Sequence, residues 1–303
     1  MNGELLLLAV MTGIGLGAVY TLVALSYTLV LSTSGVFNFA QGALVMGGAI
    51  GSFVLGVKLH IPPVIALVIL IPLGALAGVV SERVAVRPFL GRSRSLTEEA
   101  LVSTLGLGLV LVAMAAIFFG YDEHYMPPYV STTIIELGGF LPVRPIFLLM
   151  LVSGGAITLL IDRVMARTQL GALLRAVIID PEGASLLGID VAWAITGSFA
   201  VAGALAVIAG FLLVPITSAS IFVGDRLALL GFVAMALGGF GSFRGAIVGG
   251  LVVGLLTAVG PVVLNPLLVQ PLLLVLLIAV LVIRPGGFFG AAGQYGAGAL
   301  RDV

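Results

Sequence analysis

Apolar residues follow one another along this chain in runs too long for the edge of a water-soluble core. No charged side chain interrupts the sequence between Glu4 and Lys58, between Asp190 and Asp225, or from Gly245 to Ile283. A surface helix of a soluble domain alternates an apolar stripe with a polar face, whereas a helix apolar all round is solvated by lipid or buried in a large core. A bilayer-crossing helix needs about 20 such residues. On that rule, spans are predicted near 5–31, 40–57, 61–81, 99–120, 142–161, 191–214, 227–243, 245–262 and 267–283. The segments 40–57 and 227–243 are short and could be broken or re-entrant, so eight and nine full crossings both stay open. A membrane-spanning β-barrel would alternate apolar and polar residues within strands of roughly ten residues, and these runs do not alternate. The expected fold is an all-α, polytopic transmembrane helical bundle, a single domain over 1–303.

Basic residues then orient the bundle. Arg83, Arg87, Arg92 and Arg94 fall between the third and fourth spans, and Arg163, Arg167 and Arg175 follow the fifth. Arg244, Arg284 and Arg301 join the same side if all nine segments cross. The opposite loops hold only Lys58, Arg144 and Arg226, beside acidic Asp122, Glu123, Glu136 and Asp225. Cytoplasmic loops carry the excess of Lys and Arg, which predicts the N-terminus outside and the C-terminus inside. With Glu4 as the only early charge, the first segment lacks the basic start of a cleavable signal and is expected to stay as a span.

Composition narrows the function. Of 303 residues, 61% are hydrophobic and 9% charged, and the mean hydropathy is +1.30. That excludes disorder and argues against a soluble enzyme. Zero net charge offers nothing to nucleic acid. Without cysteine there is no disulfide or thiol chemistry. His60 and His124 stand in loops, and no metal site is expected from them. Among the 42 glycines, the pairs Gly13 and Gly17, Gly74 and Gly78, Gly245 and Gly249, Gly250 and Gly254 stand four apart and read as helix-packing faces. Most prolines mark span ends; Pro72 is expected to kink the third span.

Side chains for catalysis are scarce. No carboxylate, histidine or lysine is placed deep in a predicted span, so a proton relay or acid–base pair has no members. This argues against an intramembrane enzyme and a proton-driven pump, while a sodium-coupled carrier stays open because carbonyls and hydroxyls can hold sodium. Two stretches depart from the apolar pattern. The first is Ser32-Thr-Ser-Gly-Val-Phe-Asn-Phe-Ala-Gln-Gly42, where hydroxyls and glycine break the helix and two amides follow. Irregular polar backbone at membrane depth must face protein or a water-filled cavity, so this stretch either borders a solute path or is a short cytoplasmic turn. The second is RVMARTQLGALLRAVIIDPEGASLLGID, 163–190, in which Asp180 could cap a helix opened by Pro181 and Gly188 could end it. Its apolar face needs a cover, which the membrane surface or a partner protein could supply.

These stretches also carry a family likeness. GAVYTLVALSYTLVLSTSGVFNFAQGALVMGGA, 17–49, resembles the opening of permease subunits of branched-chain amino acid ABC importers, the LivH class. RAVIIDPEGASLLGID, 175–190, is similar to their cytoplasmic coupling segment, LGGFGSFRGAIVGGLVVG, 237–254, to their late glycine-rich span, and RPGGFFG, 284–290, to their ending. The chain departs from the pattern at Gln41-Gly-Ala, where many relatives carry an acidic residue after the glycine. The resemblance implies a multi-pass protein of a bacterial or archaeal cytoplasmic membrane, paired with a second permease of the LivM class. It further implies cytosolic ABC ATPase subunits, which would carry ATP and Mg, and an extracytoplasmic solute-binding protein. On that pattern 171–188 docks on the ATPase, with Arg175, Asp180, Glu182, Ala184 and Gly188 as coupling residues. Tyr27, Asn38 and Gln41 are expected to line the path. The expected cargo is a branched-chain or other apolar amino acid; urea, a short amide or a sugar would suit an uncharged path equally.

Overall fold

Helices form where an apolar run is opened by proline or a side-chain cap and closed by glycine or a polar turn. In the computed structural model, which describes residues 3–89, 95–137, 141–284 and 286–289, α1 covers Gly3–Ser34, α2 Gln41–Phe53, α3 Pro63–Ser81 and α4 Ser95–Phe119. A short hairpin, β1 Ile135–Leu137 against β2 Leu141–Val143, precedes α5 Pro145–Arg167, α6 Gln169–Ile179 and α7 Pro181–Leu186. Then come α8 Val191–Leu213, α9 Val223–Gly238, α10 Phe243–Val263 and α11 Pro266–Ile283. Proline opens α3, α5, α7 and α11, where its missing N–H costs nothing. Asp190, Ser242 and Asn265 cap α8, α10 and α11 by accepting from backbone N–H groups of the first turn. Pro72, Pro261 and Pro271 all lie inside helices, so Pro72 is not the lone interior proline the sequence suggested.

Among the described residues, eight helical segments are long and apolar enough to cross a membrane. Of the nine predicted spans, the one that falls short is α9, whose 16 residues rise about 24 Å. Its limits also differ from the expected 227–243. The helix begins earlier, at Val223, and stops at Gly238, where a turn through Gly239–Ser242 reverses the chain into α10. α2 is prolonged by one π-helical turn, Val54–Lys58, and α3 by another, Glu82–Val86.

Packing follows the small residues. α1 lies antiparallel on α10, with Gly13 facing Leu255 and Gly17 facing Leu251; a Cβ added at Gly17 would stand 2.9 Å from the Leu251 Cα. Gly74 and Gly78 of α3 meet Gly203 of α8, while Gly245 and Gly249 of α10 meet Gly238 and Ala234 of α9. Each glycine pair singled out in the sequence therefore sits at a helix crossing. Lipid gives apolar side chains no reason to leave it, so close backbone approach is what holds such helices together. The buried core runs through Leu22, Val23 and Leu25 of α1, Leu205 and Phe211 of α8, and Leu227 and Met235 of α9. The outer helices present bare apolar faces, such as Val64 and Val68 on α3, Leu109 and Ile117 on α4, and Val275 and Val282 on α11.

Contacts sort the loops into two ends. His124 pairs with Ala219 through both backbone groups, so the loop after α4 and the loop after α8 share one end. There Tyr129 stacks on Phe211 at 4.6 Å and donates its hydroxyl to the Phe211 carbonyl; burial pushes the Tyr129 phenol above its usual pKa. At the other end, Thr196 of α8 donates to Glu82 beyond α3, and α7 packs on α8 through Ala184 and Ala194. Arg83, Arg87, Arg163, Arg167 and Arg175 lie at this second end; Arg92, Arg94 and Arg301 lie outside the described residues. The loops grouped at each end are those that the basic residues grouped; as labels for the two ends of the bundle, the Glu82 end is called inner and the His124 end outer.

Candidate functional site

The polar break after α1 folds as a turn inside the bundle. Asn38 Oδ1 accepts from the Ala40 N–H and the Ser81 hydroxyl, and Asn38 Nδ2 donates to Gln41 Oε1 at 3.3 Å. Gln41 Nε2 donates to the Ala202 carbonyl at 2.9 Å. Thr104 of α4 closes the far side, accepting from the Phe39 N–H and donating to the Phe37 carbonyl. Ala202 is eleven residues along α8 from Val191, about 16 Å at the helical rise. Thr104 is nine residues, about 14 Å, along α4. The turn is thus level with the interior of its neighbours. Asn38 and Gln41 satisfy there the hydrogen bonds that lipid could not.

Of the three residues expected to line a path, Asn38 and Gln41 are bonded to each other and Tyr27 stands one layer away. The Tyr27 ring meets Phe232 edge-on at 6.3 Å, within a group where Phe37 also packs on Phe232 and Phe240. All three are buried within this chain, while Gly35 and Phe39 of the same turn are exposed. The part of this turn that a neighbouring subunit could touch is therefore Gly35 and Phe39, which the sequence reading did not single out.

One carboxylate corrects that reading. Glu82 is only 1% exposed, because the helix of α3 continues past Ser81 through the turn Glu82–Val86. Its Oε2 accepts from Thr196 at 3.1 Å. Ser81 and Glu82, neighbours in sequence, bind the polar turn and the start of α8 respectively. The acid is thus buried within a π-helical turn, a local form frequent at functional sites.

The inner stretch 163–190 forms two helices at an angle. Thr168 caps α6 and Asp180 caps α7, Asp180 Oδ1 accepting from the Gly183 N–H at 2.9 Å. Gly188 ends the pair with φ +82°. Arg175, Asp180, Glu182 and Gly188 are exposed; Ala184 is buried against Val177 and Ala194. Ile179, Leu186 and Leu187 are 74%, 88% and 83% exposed, an apolar tip rimmed by charge.

A cavity of about 810 Å³ opens at the outer end. Leu16 and Tyr20 of α1, Arg226 and Leu230 of α9, Thr257 of α10 and Gln270 of α11 line it, with Glu123 from the outer loop. Sequence reasoning used Arg226 and Glu123 only to orient the chain; nothing in the linear order links five separated segments to one cavity.

Comparison with known proteins follows this geometry. A family model described as "Branched-chain amino acid transport system / permease component" matches residues 9–283. The high-affinity branched-chain amino acid transport system permease protein LivH of Escherichia coli (strain K12) is 30% identical over 273 residues, 82% of this chain and 83% of that protein. The permease protein BraD of Pseudomonas aeruginosa is 29% identical over 294 residues, 92% and 94% of the two chains. A probable branched-chain amino acid transport permease protein LivH of Methanocaldococcus jannaschii is 28% identical over 242 residues, 77% and 74% of the two. No solved structure matches the chain.

Proposed function

The chain belongs to the family of permease components of branched-chain amino acid transport systems, a multi-pass membrane transport subunit, and from that premise we propose how it works. It forms half of a solute path for branched-chain or other apolar amino acids, paired with a second permease of the LivM class. A solute-binding protein delivers the amino acid at the outer end. ATP and Mg sit on cytosolic ATPase subunits, and the chain itself hydrolyses nothing. The N-terminus is outside and the C-terminus inside, as the grouping of basic residues at the inner end supports.

The observation that carries this reading is the exposed α6–α7 pair at the basic end. An apolar tip of Ile179, Leu186 and Leu187, flanked by Asp180 and Glu182, suits insertion into a groove of a soluble partner. Closure of an ATPase dimer would then move the tip, and Ala184, seated on Ala194, would pass the movement to α8. α8 touches α2 and α3 through tight glycine contacts, so the displacement becomes a rigid-body change between outward and inward access. Tyr27, Asn38 and Gln41 would hold the wall of that path in shape, with Phe39 facing the paired subunit.

Purifying the chain from its native membrane in mild detergent and identifying what accompanies it tests the assembly. A stoichiometric ATPase and a second permease are expected, and reconstituted vesicles should accumulate leucine only with ATP inside the compartment that holds the ATPase. Uptake that persists without ATP and follows a sodium gradient would overturn the importer reading.

A further inference from the structure

We propose that the outer cavity is a binding site within this chain for a zwitterionic amino acid with a branched apolar side chain, its carboxylate on Arg226 and its ammonium on Glu123. The inference rests on the importer reading above and adds the place and the chemistry of recognition. At about 810 Å³ the cavity falls within the range of small-molecule sites, roughly 300–1,000 Å³. It holds the basic Arg226 and the acidic Glu123 among hydroxyl and amide side chains and an aliphatic wall.

Arg226 and Glu123 are both exposed and line the same cavity. Among the described residues neither is in an ion pair. The Ser218 hydroxyl, also in the lining, donates to Glu123 Oε2 at 3.1 Å and fixes that carboxylate at the rim. Asp225 is next to Arg226 in sequence but turns toward α2; a Cβ on Gly42 would lie 3.4 Å from its Oδ1. It is not part of the lining. One cation and one anion thus share a partly enclosed space. A guanidinium takes a carboxylate through two parallel N–H···O bonds, and an ammonium is held by a carboxylate. Leu16, Leu213, Leu227 and Leu230 line the same cavity and supply an apolar bed of the kind a leucine, isoleucine or valine side chain would fill. A sugar or urea carries no charges to engage this pair, and a dicarboxylic or dibasic amino acid would bring a further charge onto the leucines.

The test uses the intact complex in proteoliposomes, L-leucine as substrate and a diazirine-bearing leucine analogue as photoprobe. Labelling of the wild-type complex is expected on peptides holding residues of the cavity wall. L-Leucine should compete for it; leucinamide, which lacks the carboxylate, and 4-methylpentanoate, which lacks the ammonium, should compete about tenfold less well, the scale of one charge-assisted hydrogen bond. Arg226→Gln should lower labelling and ATP-driven uptake by about tenfold or more while the ATPase still co-purifies. If the wild-type complex takes up leucine but the label falls outside the cavity, or Arg226→Gln transports within twofold of wild type, the site is wrong and the importer reading stands. If the wild-type complex moves no leucine with ATP present, the substrate reading fails and takes the site with it.

Discussion

Gly287 lies backbone to backbone against Gly239: a Cβ placed on Gly287 would stand 2.5 Å from the Gly239 Cα and 2.6 Å from its nitrogen. Both residues have positive φ, +71° and +116°, which only glycine adopts without strain. The contact lets the Phe288 and Phe289 N–H groups donate to the Leu237 and Gly238 carbonyls, 3.0 and 2.9 Å away. Those carbonyls end α9 and have no helical partner of their own. Two glycine-rich motifs almost fifty positions apart are thus one structural device, a C-terminal clasp on the helix that precedes α10.

Gly287→Val should open that clasp. The side chain adds a strained left-handed residue, about 1–2 kcal/mol, and a clash with a backbone that has no room to yield. A lower thermal unfolding midpoint in detergent is expected, with α11 still inserted. An unchanged midpoint would mean that residues 286–289 do not brace α9.

Gln41→Leu removes the donor to Ala202 and the acceptor for Asn38. A buried polar group left without a partner costs about 1–3 kcal/mol, so the variant should be less stable than wild type. Transport should slow while the ATPase stays bound, because Gln41 bonds to α8 and not to the exposed faces of α6 and α7. Wild-type uptake together with wild-type stability would remove Gln41 from both the wall and the fold.

Hydropathy made the spans legible because lipid-facing helices need no polar side, and each predicted span holds one helix, α1 to α5 and α8 to α11. The limits of α9 escaped it for a related reason. Ala219, Ser220 and Ile221, just before the helix, are buried and as tolerant of apolar residues as the helix itself. Hydropathy registers surroundings, and here loop and helix share them. Glu82 stands just past the predicted span 61–81, and nothing local signals that the helix runs on to a π-helical turn. The Asp180 cap was legible because capping is decided within four residues. The outer cavity was not, because its walls are assembled from five segments that only the tertiary fold brings together.

Asp180→Arg with Glu182→Arg should weaken capture of the ATPase and abolish ATP-driven uptake. Both side chains are exposed, so the permease should still extract and elute as a folded protein, with the start of α7 loosened by about 1 kcal/mol because Asp180 no longer caps it. Leu186→Asp is expected to act the same way by placing a charge at the apolar tip. Ala184→Leu differs, since Ala184 is 3% exposed. It should disturb the seat of α7 on Ala194 and lower stability as well. ATPase binding and uptake at wild-type levels in the arginine pair would remove α7 from the docking surface.

Glu82 offers the sharpest test of how movement at the inner end reaches the path. The Ser81 hydroxyl reaches Asn38 at 3.4 Å, and Glu82 holds Thr196, five positions past the start of α8 and two from Ala194, on which α7 rests. A push on α7 therefore arrives at Glu82 through α8, and one residue further at the turn that Asn38 and Gln41 organise. Glu82→Gln keeps a side-chain carbonyl to accept from Thr196 and should transport nearly as wild type. Glu82→Leu fills the same space without an acceptor, so assembly with the ATPase should survive while the link to α8 is lost. The expected signature is a fall in leucine moved per ATP hydrolysed, with hydrolysis itself retained. Thr196→Val should show the same fall in milder form, because Thr196 can no longer donate while Glu82 stays in place. If Glu82→Leu lowers uptake and hydrolysis in equal proportion, the residue serves assembly or folding instead. If its transport per ATP equals that of wild type, the Glu82–Thr196 bond carries none of the movement.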